Sequence, residues 1–148
     1  MNTISGIRDV CSDDEAVWRR LWEGYNTFYG TTVTPEITSR TWQRMLDAGS
    51  SMLARLVEVE GRAAGFSISV LHGGTWVSGA VCYLEDLFVD PAHRGRGLGR
   101  MLIQDLIACG RAQNWSTVYW MTRRDNPARR LYDEFVKADD FVRYRLHL

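Results

Sequence analysis

The chain has 148 residues, of which 45% are hydrophobic and 24% charged, and its 18 basic and 18 acidic side chains give no formal net charge. This length and apolar fraction suit one globular domain spanning 1–148 and exclude a disordered or low-complexity chain. The charge balance excludes a global field that would draw in nucleic acid or an anionic membrane, so any electrostatic function must come from local clusters. Cys11, Cys82 and Cys109 are odd in number and show no C-x-x-C pairing, which speaks against a disulfide framework or a zinc site and for a reducing cytoplasm. The N-terminus has no basic segment followed by an apolar one, and no apolar run reaches membrane-spanning length.

Ile4 to Val10 alternates weakly as a first strand and ends at Ser12-Asp13-Asp14, which are helix N-cap residue types. Val17, Trp18, Leu21, Trp22, Tyr25 and Phe28 recur at helical spacing, which predicts an amphipathic helix from Asp14 to Tyr29. Thr34-Pro35-Glu36 reads as an N-cap followed by proline at the first helical position, opening a second helix to Asp47. Three strands follow, Leu53 to Glu60, Ala63 to Leu71 and Ala80 to Val89, separated by turn signals at Glu60-Gly61-Arg62 and His72-Gly73-Gly74, as in an antiparallel meander. After a glycine-rich loop, a helix is expected to about Asn114 and a short strand in "STVYWMT". A further helix is expected from Asn126-Pro127 through Phe135, and a last alternating strand in "FVRYRLHL". The sum is a mixed α/β domain with an antiparallel front half.

The loop "HRGRGLGR" places Arg94, Gly95, Arg96, Gly97, Leu98, Gly99 and Arg100 between a strand and a helix. A helix N-terminus offers unpaired amides at its positive end, and glycines let the backbone take positive φ and approach an anion such as a pyrophosphate. A P-loop would need Gly-Lys-Ser/Thr, and a dinucleotide fingerprint would need G-x-G-x-x-G early in a βαβ unit; this loop has neither.

With that loop, the run "YLEDLFVDPAHRGRGLGRMLI" resembles the acetyl-coenzyme A segment of the GNAT N-acetyltransferases, whose signature Arg/Gln-x-x-Gly-x-Gly/Ala is matched by Arg94, Gly97 and Gly99. "LWEGYNTFYG" and "YWMTRRDNPARRLYDEF" extend the resemblance over most of the chain, and "LEDLFV" with "YWMTR" looks most like the branch of histone/polyamine and spermidine/spermine acetyltransferases. The resemblance implies the GNAT fold: a mixed, mostly antiparallel central sheet with a splayed strand pair and helices on both faces. It also implies acetyl-coenzyme A as acyl donor, no metal, and direct transfer of the acetyl group to a primary amine.

Carried over residue by residue, Leu87, Phe88 and Val89 would bond the pantetheine arm from a bulged strand, and the loop from Arg94 to Arg100 would hold the pyrophosphate. Glu85 corresponds to an acidic position that deprotonates the amine, with Asp86 as the other candidate base. In a regular strand the two carboxylates face opposite sides, and a bulge would disturb that parity. Tyr132, in "ARRLYDEF", matches the tyrosine that serves as general acid to the leaving thiolate. The family's asparagine stands seven residues before that tyrosine, whereas Asn126 stands six before it with Asp125 at the seventh place; either the loop is one residue shorter or Asp125 takes the asparagine's position. Asn126 also reads as an N-cap with Pro127 after it.

Cys82 has no neighbouring histidine to activate it, and His72, His93 and His147 show no ligand spacing. The expected acceptor site lies among Trp22, Tyr25, Phe28, Tyr29, Tyr83, Glu85 and Trp76, where aromatics and carboxylates suit a cationic amine. The acceptors expected, in order, are polyamines, other small primary amines, amino acids and protein lysines. A coenzyme A-binding regulatory module with weak turnover is the alternative reading. The exposed edge offered by "FVRYRLHL" suggests a homodimer.

Overall fold

The computed structural model describes residues 3–148; Met1 and Asn2, which begin the expected domain and the N-terminal stretch read for a leader, lie outside them. Strands β1 (Ile4–Asp9), β2 (Met52–Val59), β3 (Arg62–His72), β4 (Val81–Val89) and β5 (Thr117–Tyr119) form one sheet in sequence order. The first four pair antiparallel and β5 runs parallel to β4. A 3-10 turn at Ser12–Asp14 leads into α1 (Glu15–Phe28), followed by α2 (Pro35–Leu46). The remaining helices are α3 (Leu98–Gln113), between β4 and β5, and α4 (Arg129–Tyr132), after β5.

Two-residue alternation sends each strand's apolar residues to both faces of the sheet. On one face Ala54, Leu56, Phe66, Ile68 and Phe88 pack against Trp18, Leu21, Trp42 and Met45 of α1 and α2. On the other, Val57, Val59, Cys82 and Leu84 meet Leu98, Leu102, Ile103 and Leu106 of α3. The spacing of 3 and 4 residues among those α3 positions sets them on one stripe of the helix. Thr34 caps α2 as the sequence predicts: its hydroxyl accepts the Ile37 amide at 3.3 Å, with Pro35 at the first helical position.

Ion pairs brace the outer half of the sheet. Arg55 of β2 grips Asp105 of α3 through both carboxylate oxygens, at 2.8 and 2.9 Å. Arg8 of β1 grips Asp14 at 2.7 and 2.8 Å and reaches Glu58 of β2. Asp14 also accepts the Cys11 amide at 2.8 Å, closing the turn that starts α1.

Several expectations are corrected. "FVRYRLHL" forms no strand: residues 141–148 are exposed and hold no ladder. Alternation marks a segment able to bury one face, but a strand also needs a partner for its amides and carbonyls, and β5 offers only three residues. "STVYWMT" is a strand only over Thr117–Tyr119. The last helix stops at Tyr132 instead of Phe135. Beyond it, the Glu134 and Phe135 amides bond carbonyls three residues back, the tighter 3-10 spacing. Gly99 does not take positive φ; it lies inside the first turn of α3.

The Arg8 guanidinium holds the Asp14 carboxyl well below the usual carboxylate range, and the Cys11 amide adds to this. A depressed folded-state pKa contributes stability above the unfolded value of about 3.9, and that contribution is lost as pH falls toward the folded one. Because Arg8 is 42% exposed, the pair's contribution is modest, and Asp14→Asn should cost roughly 1 kcal/mol at pH 7. Urea unfolding of both proteins should show that gap at pH 7 and its progressive narrowing as pH falls from 4 to 2; an equal gap at pH 7 and pH 2 would exclude this role.

Candidate functional site

The site starts from one irregularity in β4. Opposite β3, Ser69 pairs with Leu84 and Ile68 with Asp86, so Glu85 is an extra residue in the strand. Before it, Leu84 points into the α3-side core at 4% exposure. After it, Asp86 meets Tyr25 of α1 on the opposite face. Glu85 is exposed. Leu87 then returns to the α3 side and Phe88 to the α1 side.

The ladder between β4 and β5 runs from Val81–Thr117 to Tyr83–Tyr119 and ends there. From Leu84 onward the two chains diverge, leaving a small cleft lined by Tyr25, Tyr29, Leu84, Glu85, Leu87, Trp120, Met121 and Tyr132. Tyr132 comes from α4, where its ring meets Trp120 edge-on at 5.8 Å. Burial pushes its hydroxyl up to about 12, with Tyr29 adding to the shift, so it stays protonated at neutral pH.

Burial also pushes the Asp86 carboxyl up to about 7. The neighbouring Glu85 charge acts in the same direction, while the Tyr25 hydroxyl opposes it. Burial raises Tyr25 too, with Asp86 the next cause, so this phenol remains a donor. A carboxyl that ionises near neutrality, linked to a cleft by a protonated tyrosine, suits proton acceptance from a bound ligand.

At the far end of β4, Asp90 accepts the Ala92 amide at 3.0 Å and an Arg20 guanidinium N–H at 3.0 Å. Gly95 and Gly97 both sit at φ 76°, a conformation that favours glycine, and an added Cβ at either would meet no protein atom within 4 Å. The loop backbone therefore borders open space. Gly97 caps α3, and its carbonyl accepts the Met101 amide at 3.0 Å. Helix geometry leaves the amides of Leu98, Gly99 and Arg100 outside the internal ladder, at the positive end of the helix dipole. This row fits a pyrophosphate.

The arginines take distinct places. Arg94 donates to the Val89 carbonyl at 3.1 Å and lays its guanidinium over Phe28 and Phe88, 5.3 and 5.6 Å from the ring centres. Arg96 stands between the two glycines. Arg100 pairs with Glu134. The Asn126 side chain is engaged locally, donating to the Thr122 hydroxyl and accepting the Ala128 amide, both at 2.9 Å.

Of the expected acceptor residues, Tyr25, Tyr29 and Glu85 line the cleft. Trp22 instead packs in the helix layer, stacked on Trp18 and Tyr25, with its indole N–H donated to Thr38 of α2. Tyr83 stacks on Tyr119, Phe28 lies under Arg94, and Trp76 is 94% exposed on the β3–β4 loop. Trp120 and Met121 were not singled out from the sequence. Their signal was the alternation of "VYWM", which sends Trp120 to the α3 side with Val118. Among the described residues, no group of three or more His, Cys, Asp or Glu is placed to hold a metal, and no helix is long and apolar enough to cross a membrane.

Residues 15–135 match the acetyltransferase (GNAT) family. A D-amino-acid N-acetyltransferase of Saccharomyces cerevisiae is 32% identical over 142 residues, which cover 94% of this chain and 88% of that protein. The structure is similar to that of the ribosomal-protein-alanine N-acetyltransferase from Brucella melitensis biovar Abortus 2308, with a TM-score of 0.79 and 20% identity, covering 99% of this chain and 100% of that one. An aminoglycoside acetyltransferase from an uncultured soil metagenomic sample, solved with trehalose, gives a TM-score of 0.81 at 17% identity, covering 96% and 95%. The two structural likenesses establish the shared fold.

Since Asp86 ionises near pH 7 in the folded state and near 3.9 when unfolded, its burial costs stability as pH rises between those values. Asp86→Asn should therefore raise Tm, with a gain that grows from pH 5 to pH 8. A gain that shrinks over this range would contradict the buried-carboxyl assignment.

Proposed function

The chain belongs to the GNAT acetyltransferase family and is an N-acetyltransferase, and we propose that it moves the acetyl group of acetyl-coenzyme A to the amine of a small amino acid-type acceptor. The observation that carries the reading is the bulge at Glu85, which sets two carboxyls and a buried phenol around the gap between β4 and β5. Support for an amino acid ahead of a polyamine comes from the yeast relative, whose name states D-amino acids as its substrate.

In this reading Gly95, Gly97 and the first amides of α3 hold the pyrophosphate, and the β4 segment Leu87, Phe88 and Val89, beyond the end of its pairing with β5, bonds the pantetheine arm, with the Val89 carbonyl already taken by Arg94. Bound there, the coenzyme supplies a thioester carbonyl as electrophile. Glu85, on the cleft wall, attracts the ammonium form of the acceptor. Asp86 takes the proton that the amine must lose, reached through the Tyr25 hydroxyl that both lines the cleft and contacts it. Tyr132 lies across the cleft, protonated at working pH, and supplies the proton for the departing sulfur. Asn126 supports this by capping the turn that carries Tyr132. A homodimer belongs to the same proposal, since Phe141, Val142, Tyr144, Leu146 and Leu148 are largely exposed and a second copy would cover them.

Thiol release from acetyl-coenzyme A, followed over a panel of D- and L-amino acids, polyamines and lysine peptides, tests the reading. Amino acids should be used best, and Tyr132→Phe should lower kcat by about 10²-fold or more. The wild-type rate should rise through pH 7 as Asp86 ionises, and Asp86→Asn should lose that limb with most of the activity. Preference for polyamines would overturn the acceptor class, and full activity in Asp86→Asn and Tyr132→Phe would overturn the residue roles.

A further inference from the structure

The sheet face that bears Asp86 continues beyond the helices. Cys82 and Val118 face the α3-side core, so Tyr83 and Tyr119, next to them in their strands, face the other way. Helices α1 and α2 cover this face around Phe66 and Phe88, and the two tyrosines lie further along it. Their rings stack at 5.0 Å with planes 17° apart, as register partners of β4 and β5. Tyr119 keeps 36% of its surface exposed.

The pair is fixed from the side. His72, at the end of β3, has Nδ1 2.7 Å from the Gly73 carbonyl and Nε2 3.1 Å from the Tyr119 hydroxyl. A carbonyl only accepts, so Nδ1 carries a proton donated to Gly73, which fixes the ring while Nε2 shares a hydrogen bond with the Tyr119 hydroxyl. His72 also borders an open depression of about 330 Å³ formed with Gly74, Val77 and Ser78 of the β3–β4 loop. That volume lies at the lower end of small-ligand sites, about 300–1,000 Å³.

The platform adjoins the cleft, because Glu85, which lines it, lies two residues beyond Tyr83 in the same strand. An amino acid presents its ammonium and its side chain from one carbon, so an ammonium held at Glu85 leaves the side chain beside the tyrosine pair.

We propose that stacked Tyr83 and Tyr119, held by His72, bind the acceptor's side chain, so that the acceptors used best are α-amino acids with aromatic or large apolar side chains. The proposal rests on the amino acid reading of the cleft and adds which amino acids enter it. A flat ring stacks on an exposed aromatic face better than a polar or flexible chain does.

The test compares wild type, Tyr119→Ala and Tyr119→Phe with D- and L-phenylalanine and alanine. It reads thiol release from acetyl-coenzyme A and, separately, calorimetric binding of phenylalanine alone. Wild type should favour phenylalanine over alanine. Tyr119→Ala should raise the phenylalanine KM about tenfold at unchanged kcat and leave the alanine KM within about twofold. Tyr119→Phe, which keeps the stack, should stay near wild type. Equal use of phenylalanine and alanine, or a common shift of both in Tyr119→Ala, would overturn the subsite. If no amine releases thiol, the amino acid reading fails, and the binding arm still decides the subsite: affinity for phenylalanine lost in Tyr119→Ala supports it, whereas affinity absent or unchanged refutes it.

Discussion

One extra residue in one strand organises the site. Without the bulge at Glu85, Leu84 and Asp86 would share a face, and a carboxylate would enter the apolar layer under α3 or a leucine would leave it. Burying an ionised carboxylate in such a layer without a partner is costly. The bulge lets Leu84 stay in the core and turns Asp86 toward the Tyr25 hydroxyl. It also comes two residues after Tyr83, the last β4 residue paired with β5. Bulges end regular pairing and bend the strand, so one local insertion yields both the raised carboxyl and the gap beside it.

The glycine-rich loop divides labour between backbone and side chains. Positive φ at Gly95 and Gly97 and the start of α3 at Leu98 aim amides toward open space. The flanking arginines brace the loop. Arg94 ties it to Val89 and to the rings of Phe28 and Phe88, and Arg100 ties α3 to the segment after α4. In the proposed reading an anion would be drawn there chiefly by fixed peptide dipoles, which need no reorganisation when a ligand arrives. Because Glu134 lies close to Tyr132 in sequence, the Arg100 pair also links the start of α3 to the turn that carries Tyr132.

Sequence reading captured what short-range physics decides. Helical spacing located α1, α2 and α3, the Thr34-Pro35 start set the first turn of α2 to the residue, and the turn signals separated β2, β3 and β4. The loop glycines marked the strand-to-helix turn, with positive φ at Gly95 and Gly97, although Gly99 lies inside a helix turn. Long-range relations were hidden. Whether Glu85 or Asp86 faces α1 depends on the register against Ser69 and Ile68, residues far away in the chain. Trp22 has the same helical spacing whether it lines a pocket or packs, and only Trp18 and Thr38 beside it settle that it packs. The tail alternates as a strand would, yet alternation specifies a face and no partner.

Where the helices end matters as much as where they pack. Helices α1 and α2 protect the region of Phe66 and Phe88, and further along the same face Tyr119 stays 36% exposed. The uncovered stretch could have carried polar side chains at little cost in stability. It carries Tyr83 and Tyr119 instead, stacked, held by a histidine whose own ring is tied to the Gly73 carbonyl, with Tyr83 two residues before the bulge. Ordering such groups at a surface costs side-chain entropy and buries little in return. That arrangement is accounted for by a ligand whose flat apolar part completes the burial, while its amine reaches the carboxyls one strand turn away.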